Sequence, residues 1–318
     1  MTRFLRGLAL AACVAVATPA GAAEVLHVGK AASTSSAILP TDVGVRTGIF
    51  AKHGLDVSIS ELGGGGKMHQ AMAAGSLDIG VGAGPEMALI AKGSPELAVC
   101  NMAPSAPFIG IGVPAESKVD NVADLKGKRI GVSSIGGLTY WLSLELARTE
   151  GWGEHGITPV AIGNGSASVI AAFRTHAVDA MITGTSLIFN MEEQKVGRLL
   201  IPVSKYEGNI GAGMIFATDK LIKDNPDAIR RFLAGWLDTI AYMRQHRAET
   251  IKIEAAVTKF SSAVQAKEYD LTIGMFSSDC KFDAESLRNL KRSFGDLKLV
   301  DTPPDMAKLY TEKFIPHR

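Results

Sequence analysis

Residues 46–84 read RTGIFAKHGLDVSISELGGGGKMHQAMAAGSLDIGVGAG, and they decide the fold because the chain repeats their plan further on. When residues 63–84 are set against residues 164–185, Asp78 falls on Asp179 without a gap. Further matches lie upstream, with the register shifted by one residue: HGL at 53–55 with HGI at 155–157, and VG at 28–29 with IG at 130–131. Two copies of a strand–helix–strand–glycine loop–helix–strand unit predict two α/β lobes of similar design. Two such lobes are suited to holding a small molecule between them.

The amino terminus has the pattern of a secretory signal peptide. Arg3 and Arg6 precede an apolar run at residues 7–17, and the small residues 20–22 form a cleavage site. We therefore expect residues 1–22 to be removed and the protein to be periplasmic. An alternative is lipoprotein processing at residues 10–13 with a lipid anchor on Cys13, but the apolar run ahead of Cys13 is short, which favours the signal peptide.

Composition excludes several classes of function. Without Arg3 and Arg6, 31 of the 33 basic residues remain against 32 acidic residues, so no excess positive charge indicates a nucleic acid or an anionic membrane as partner. The length predicts two domains. Cys100 and Cys280 remain after cleavage, and they either form a disulfide in an oxidising compartment or are separate buried apolar residues. The sequence has no CxxC motif or Cys/His cluster, so we expect no metal and no cofactor.

Strands alternate with helices along most of the chain, which predicts parallel βαβ units. In the first half the predicted strands are 25–30, 55–59, 77–81, 97–100 and 108–113, and the predicted helices are 38–51 and 67–74. In the second half the predicted strands are 129–132, 159–162, 177–182 and 214–218, and the predicted helices are 138–150 and 167–175. Beyond Asn225, apolar residues recur at helical spacing, and we expect helices at residues 286–314 to wrap the first lobe.

The motifs GIFAKHGLDV at 48–57, AAGSLDIG at 73–80 and DLKGKRIGV at 124–132 resemble the type II periplasmic solute-binding proteins of ABC importers. The similarity is to the nitrate/sulfonate/taurine and NMT1-like subgroup. This resemblance implies an α/β, two-lobe periplasmic-binding-protein type II fold with two crossing strands and a helical C-terminal extension. It implies a first lobe of residues 23–112 and 214–318 and a second lobe of residues 113–213. It also implies a monomer that delivers a small-molecule ligand to an inner-membrane ABC permease with its ATPase.

The candidate ligand-binding residues lie in loops that follow predicted strands and precede helices. Ligands of open parallel sheets bind at such loops, where helix amino ends present free N–H groups and partial positive charge. For any single glycine, a need for positive φ is an equally good explanation. The candidates are Thr34, Ser36, Gly64, Gly65, Gly84, Ser134, Gly136, Gly137, Thr139, Asn164, Ser166 and Thr183.

Four other side chains near these loops have two interpretations each. His69 is a surface or core residue, or else a ligand contact. Glu86 complements the amino end of its own helix, or else binds an ammonium group. One of Tyr140 and Trp141 faces the core, and the other is free to stack on a ring of the ligand.

The sequence has no GxSxG motif, HExxH motif, P-loop or dinucleotide fingerprint, so we expect no enzyme. Loops of Gly, Ser, Thr and Asn with few charges favour a small organic anion, such as a sulfonate or carboxylate. The alternatives are a neutral heterocycle, such as a pyrimidine or flavin precursor, and a secreted enzyme on the same fold.

Overall fold

The computed structural model describes residues 23–135, 137–153, 155–163 and 166–316. The predicted signal peptide, Cys13, Gly136 and Asn164 lie outside the described residues, as does the side chain of Ser166. Among the described residues, no helix is both long enough and apolar enough to cross a membrane.

The described residues form ten strands in two mixed five-stranded sheets, which confirms the predicted α/β class. The strands are β1 Glu24–Lys30, β2 Leu55–Glu61, β3 Ile79–Gly82, β4 Glu96–Ala103, β5 Ile109–Pro114, β6 Arg129–Val132, β7 Thr158–Ala161, β8 Ala180–Gly184, β9 Gly197–Pro202 and β10 Gly213–Thr218. The first sheet has the order β2-β1-β3-β10-β4 and the second the order β7-β6-β8-β5-β9. Strand β10 returns to the first sheet and runs antiparallel to both its neighbours.

Twelve α-helices are described. They are α1 Pro40–Arg46, α2 Ile49–Lys52, α3 Gly65–Ala73, α4 Met87–Ala91, α5 Leu138–Thr149, α6 Ser166–Arg174, α7 Thr185–Glu193, α8 Asp219–Asp224, α9 Pro226–Gln245, α10 Arg247–Thr258, α11 Ser262–Thr272 and α12 Ala284–Asp296. We use "first lobe" and "second lobe" for the first and second sheets with the helices that pack on each.

Two differences from the predicted helices have local causes. The predicted helix 38–51 is divided into α1 and α2, because Gly48 adopts the left-handed conformation with φ of 70°. The predicted helical tail is helical only in α12 and a short 3₁₀ turn at Met306–Lys308, after which Tyr310 forms a bridge to Ala98 of β4.

The repeated aspartates fasten equivalent strands in the two lobes. The Asp78 carboxylate accepts a hydrogen bond from the backbone N–H of His27 in β1, at 2.9 Å. The Asp179 carboxylate accepts one from the backbone N–H of Arg129 in β6, also at 2.9 Å. Each aspartate also donates its own N–H to the carbonyl of the same partner residue. The internal repeat in the sequence therefore corresponds to the same pair of hydrogen bonds at the start of the third strand of each copy.

The carboxy-terminal helices join the lobes. Helix α10 packs on α1 of the first lobe, and α11 packs on α7 of the second. The segment before α12 is tied to β4 by a disulfide between Cys100 and Cys280, both fully buried. Of the two alternatives for these cysteines, a disulfide or two separate buried residues, the structure has the disulfide.

Candidate functional site

A cavity of about 360 Å³ lies between the two lobes, at the carboxyl edges of their sheets. The first lobe lines it with the glycine loop at Gly65 and with Glu86. The second lobe lines it with Ser134 and Gly137, from the loop between β6 and α5. Leu297 and Leu299, which follow α12, close one side with apolar surface. The parallel strands bring these loops together because their carboxyl ends share one edge of each sheet.

Three predicted site residues, Gly65, Ser134 and Gly137, therefore line one interlobe cavity. Gly64 is the residue before α3 and has φ of 155°, with open space where a side chain would project. Thr34 and Thr183 are half-buried at the carboxyl ends of β1 and β8 and are not among the residues that line this cavity.

Gly84 has a packing role in the structure. A Cβ atom at this position would lie 1.9 Å from the carbonyl oxygen of Gly211, in the segment that leads back to β10. Only glycine permits this close approach, so the residue fixes the crossing segment against the first lobe.

Helices α3, α5 and α7 begin beside the cleft without a side-chain cap. Their preceding residues are Gly64, Gly137 and Gly184, none of which accepts a capping hydrogen bond. The first N–H groups of a helix have no partner inside it, and they carry partial positive charge. These ends therefore offer donors to a polar or anionic group in the cleft.

The hydroxyl of Thr139 forms hydrogen bonds with the loop that precedes α5. Its Oγ1 accepts a hydrogen bond from the Ser133 N–H at 2.9 Å and lies 2.8 Å from Oγ of Ser133. The hydroxyl thus closes the loop that presents Ser134 and Gly137 to the cavity.

Glu86 belongs to a buried chain of three ionisable side chains in the first lobe. Nε2 of His69 lies 3.1 Å from Oε2 of Glu86, and Nδ1 lies 2.7 Å from Oε1 of Glu96. Burial acts to lower the pKa of His69, but the hydrogen bonds and charges of the two glutamates outweigh it and raise the pKa to about 9. At neutral pH His69 is therefore an imidazolium held between two glutamates, in the core rather than on the surface.

Ser36 is turned away from the cavity and into the interface with the carboxy-terminal helices. It is buried and donates its hydroxyl to Oε1 of Glu268 in α11. Thr185, at the start of α7, lies beside the same carboxyl group. Glu268 thus connects a loop of the first lobe with a helix of the second, whereas the sequence pattern predicted Ser36 as a ligand contact.

Of the two aromatic candidates, Trp141 is the one that faces the core. It is buried, and its Nε1 donates to Asp296 of α12 at 3.0 Å. Tyr140 is half-buried at the start of α5.

A larger hollow of about 500 Å³ lies at the opposite edge of the second sheet. Its lining includes Asp124 and Asp179, which are already bonded to Asn121 and Arg129. This hollow is a charged surface groove remote from the interlobe loops, so the smaller cavity is the better candidate site. The described ranges contain no cluster of three or more His, Cys, Asp or Glu side chains that could hold a metal ion.

Known proteins with the same fold are solute-binding proteins for the most part. The structure superposes on the periplasmic aliphatic sulphonate binding protein SsuA of Escherichia coli with a TM-score of 0.78, over 91% of this chain and 92% of that one, at 22% identity. It also matches the ligand-binding component of an ABC-type import system from Staphylococcus aureus, with a TM-score of 0.75 over 92% and 97% of the chains, at 13% identity. The desulfurization enzyme DszB has the same fold, with a TM-score of 0.64 over 92% and 97% of the chains, at 15% identity.

The sequence comparisons agree with this fold. A protein of Brucella abortus (strain 2308) described as a binding protein is 25% identical over 227 residues, which is 70% of this chain and 68% of that protein. The family model described as NMT1/THI5 like matches residues 37–250. This range includes the second sheet, every strand of the first sheet except β1, and every predicted site residue except Thr34 and Ser36. The chain therefore belongs to the NMT1/THI5-like family and has the two-lobe fold of the type II periplasmic solute-binding proteins.

Proposed function

We propose that the protein is the extracytoplasmic solute-binding receptor of an ABC importer. It binds a small organic anion, a sulfonate or carboxylate, in the interlobe cavity and delivers it to an inner-membrane permease with its ATPase. The observation that carries this proposal is the cavity of about 360 Å³, which is lined by loops from both lobes at the uncapped amino ends of α3 and α5. Within this site, Gly65, Ser134 and Gly137 are the proposed direct contacts.

Other features support a secreted receptor, which we propose to be a monomer. Residues 1–22 have the pattern of a signal peptide, and the E. coli relative of similar fold is a periplasmic sulphonate binding protein. A division into residues 23–112 and 214–318 in the first lobe and 113–213 in the second is proposed from the resemblance; since β5, Ile109–Pro114, lies in the second sheet, residues 109–112 go with the second lobe. The segment that leads into β5 and the segment that leads into β10 then act as the hinge for closure on the ligand.

Thermal unfolding with a panel of solutes tests the class of ligand. A ligand present at 100 times its Kd stabilises the protein by about 2.7 kcal/mol. We expect sulfonates or carboxylates to raise the melting temperature of the mature protein, and neutral heterocycles and simple amines to leave it unchanged. Stabilisation by a pyrimidine or flavin precursor alone would instead support the alternative ligand class.

A secreted enzyme on this fold is the second candidate, because DszB, a desulfurization enzyme, has the same architecture. Incubation of the protein with each stabilising solute, followed by analysis of the mixture for products, separates the two functions. Stoichiometric binding with the solute recovered unchanged supports the receptor. Conversion of the solute over many turnovers would contradict it.

A further inference from the structure

Glu268 of α11 lies where segments of the two lobes meet. Ser36, in the loop between β1 and α1, donates its hydroxyl to Oε1 of Glu268. Thr185, the first residue of α7, lies beside the same carboxyl group, and its backbone N–H is bonded to the carbonyl of Phe108, just before β5. Ser36 follows a strand of the first sheet and Thr185 a strand of the second. A movement of one lobe against the other therefore separates Glu268 from at least one of them.

The three side chains are buried, and part of their hydrogen-bonding capacity is unused. Ser36 is 4% exposed, Thr185 is fully buried and Glu268 is 1% exposed. Oε2 of Glu268 and Oγ1 of Thr185 each lack a hydrogen bond in this arrangement. A proton on Oε2 supplies a donor for Oγ1 of Thr185, while Oε1 continues to accept from Ser36. A neutral carboxyl group can therefore bond both lobes at once.

The ionised form of Glu268 is unfavourable at this position. Burial raises the pKa of Glu268 to about 7. Glu254 of α10, which is also buried, faces it, and burial together with the charge of Glu268 raises the pKa of Glu254 to about 8. Among the described residues, no basic side chain acts on the pKa of either group. Deprotonation thus places uncompensated negative charge in a junction from which water is excluded.

The other charged side chains on the helices around Glu268 are exposed or are bonded to one another. The 3₁₀ turn Ile273–Met275, which follows α11, carries no charged side chain. The ion pairs on α1, α7, α10 and α11 are Asp42 with Lys30, Glu192 with Lys267, and Asp270 with Arg247. The exposed residues on α1, α7 and α10 are Arg46, Glu193, Glu249 and Lys252.

We propose that Glu268 is a proton-dependent latch between the lobes: its neutral carboxyl group holds Ser36 of the first lobe to Thr185 of the second, and its ionised form favours their separation. When the lobes part, water reaches the carboxylate and solvates its charge. The closed arrangement therefore binds a proton more strongly than the open one, and closure of the cleft takes up a proton. This device concerns the lobes themselves, so it goes beyond the proposed function and applies to any ligand of the cleft.

The sign of the pH dependence follows from the two arrangements. A solvated glutamate has a pKa of about 4.3, so the open form releases its proton well below neutral pH. Closure should be most favourable below about pH 5 and should weaken as the pH rises to about 7, where Glu268 ionises in the closed form. Glu254 extends this loss to about pH 8.

The distance between two nitroxide labels, one on each lobe, tests the latch in the ligand-free protein without residues 1–22. Gln70→Cys on α3 and Ala171→Cys on α6 place the labels at exposed positions that are equivalent in the internal repeat. The Cys100–Cys280 disulfide remains closed when no reductant is added. Pulsed electron paramagnetic resonance then gives the distance distribution at a series of pH values. Between about pH 5 and about pH 8 we expect the population with the longer distance to increase roughly threefold or more.

Three variants in the labelled protein identify the group responsible. Glu268→Gln is neutral at every pH and can bond both hydroxyls, so its distances should not change with pH. Thr185→Val keeps the volume but removes the hydroxyl, and should increase the longer distance at low pH. Asp56→Asn removes an exposed carboxylate from β2 and should respond to pH as the parent does. Circular dichroism establishes that each variant is folded.

Two results would overturn the latch: a parent whose distance distribution is the same at every pH, or a response to pH that persists in Glu268→Gln. A folded Thr185→Val protein with the distances of the parent at low pH would remove Thr185 as the second-lobe partner. No ligand is present in these measurements, so their failure leaves the proposed receptor untouched, and failure of the thermal panel leaves the latch untouched.

Discussion

Nη2 of Arg292 in α12 lies 2.6 Å from Oε2 of Glu145 in α5, so an ion pair joins the carboxy-terminal extension to the second lobe. The same guanidinium contacts Glu207, in the segment that leads back to the first sheet, at 3.2 Å. On its other face, α12 inserts Leu290 and Phe294 into the core of the first lobe. Helix α12 therefore spans the two lobes, with apolar anchors in one and ionic contacts to the other.

We predict that Arg292→Met destabilises the protein by roughly 1–3 kcal/mol. The buried carboxylate of Glu207 would lose its ion-pair partner, while that of Glu145 would lose one of two and keep Arg148. Urea denaturation of the parent and variant measures the change. Arg288→Met, one turn earlier on the exposed face of α12, is the matched control. Equal stability of the two variants would mean that the contacts of Arg292 contribute nothing.

Reduction of the disulfide should lower stability by about 2–4 kcal/mol. Cys100 and Cys280 are 180 residues apart in sequence, so their bond closes a long loop in the unfolded chain and restricts its conformations. The check is denaturant unfolding of the protein with and without a thiol reductant. The double variant Cys100→Ala/Cys280→Ala should match the reduced parent and should not respond to reductant. A transition that reductant leaves unchanged in the parent would contradict a disulfide in solution.

Stability should fall as the pH rises from about 5 to about 9. Burial and the charge of Glu268 raise the pKa of Glu254 to about 8. Burial raises the pKa of Glu268 to about 7, against the hydrogen bond from Ser36 and the nearby hydroxyl of Thr185. A carboxyl group with a raised pKa in the folded state stabilises that state below its unfolded pKa, and this stabilisation is lost as the pH rises through the folded value. His69, with its pKa raised to about 9, adds a loss in the upper part of the same range.

Urea denaturation at a series of pH values measures this dependence. Glu254→Gln and Glu268→Gln remove the titrating groups and should flatten the slope below about pH 8. Glu150→Gln, at an exposed carboxylate, should retain the slope of the parent. A parent protein whose stability is constant or increases over this range would contradict the raised pKa values of Glu254 and Glu268.

Thr139→Val should weaken ligand binding indirectly. The valine has a similar volume, but the Ser133 N–H loses its acceptor, at a cost of about 1 kcal/mol in stability. The loop that carries Ser134 and Gly137 then loses its fixed position, and we expect a several-fold rise in Kd for the stabilising solute found in the thermal panel. Thr149→Val, at the exposed end of the same helix, is the control. An unchanged Kd in a folded Thr139→Val protein would show that this loop is not part of the binding site.

The order of strands and helices was predictable because it depends on local periodicity. The alternation of short apolar runs with amphipathic segments predicted every strand of the first sheet, and the loops at strand ends predicted Gly65, Ser134 and Gly137 beside the cavity. The predicted helix 38–51 was wrong in being continuous, because Gly48 divides it into α1 and α2, and strand β9 of the second sheet was not predicted.

Contacts between distant parts of the chain were not predictable in this way. Nothing near Ser36 in the sequence indicates that Glu268 accepts its hydroxyl, and nothing near Glu86 indicates that His69 holds its carboxylate. The positions of Leu297 and Arg292 at the lobe junction depend on the path of the carboxy-terminal extension, which has no local signature. Such residues become candidates only when the three-dimensional arrangement is known.

The pairing of β4 with β10 has a consequence for how the chain can be cut and rejoined. Ala103, the last residue of β4, is the register partner of Gly213, the first residue of β10, so the two positions are neighbours in the first sheet. Residues 104–212 lie outside this sheet, and the chain then re-enters it directly beside the end of β4. A short turn that joins Ala103 to Gly213 therefore replaces the intervening chain with an ordinary hairpin and leaves all five strands of the first sheet in place. The molecule is in effect one domain with a second inserted into a hairpin, and helices α11 and α12 hold the inserted part against the first.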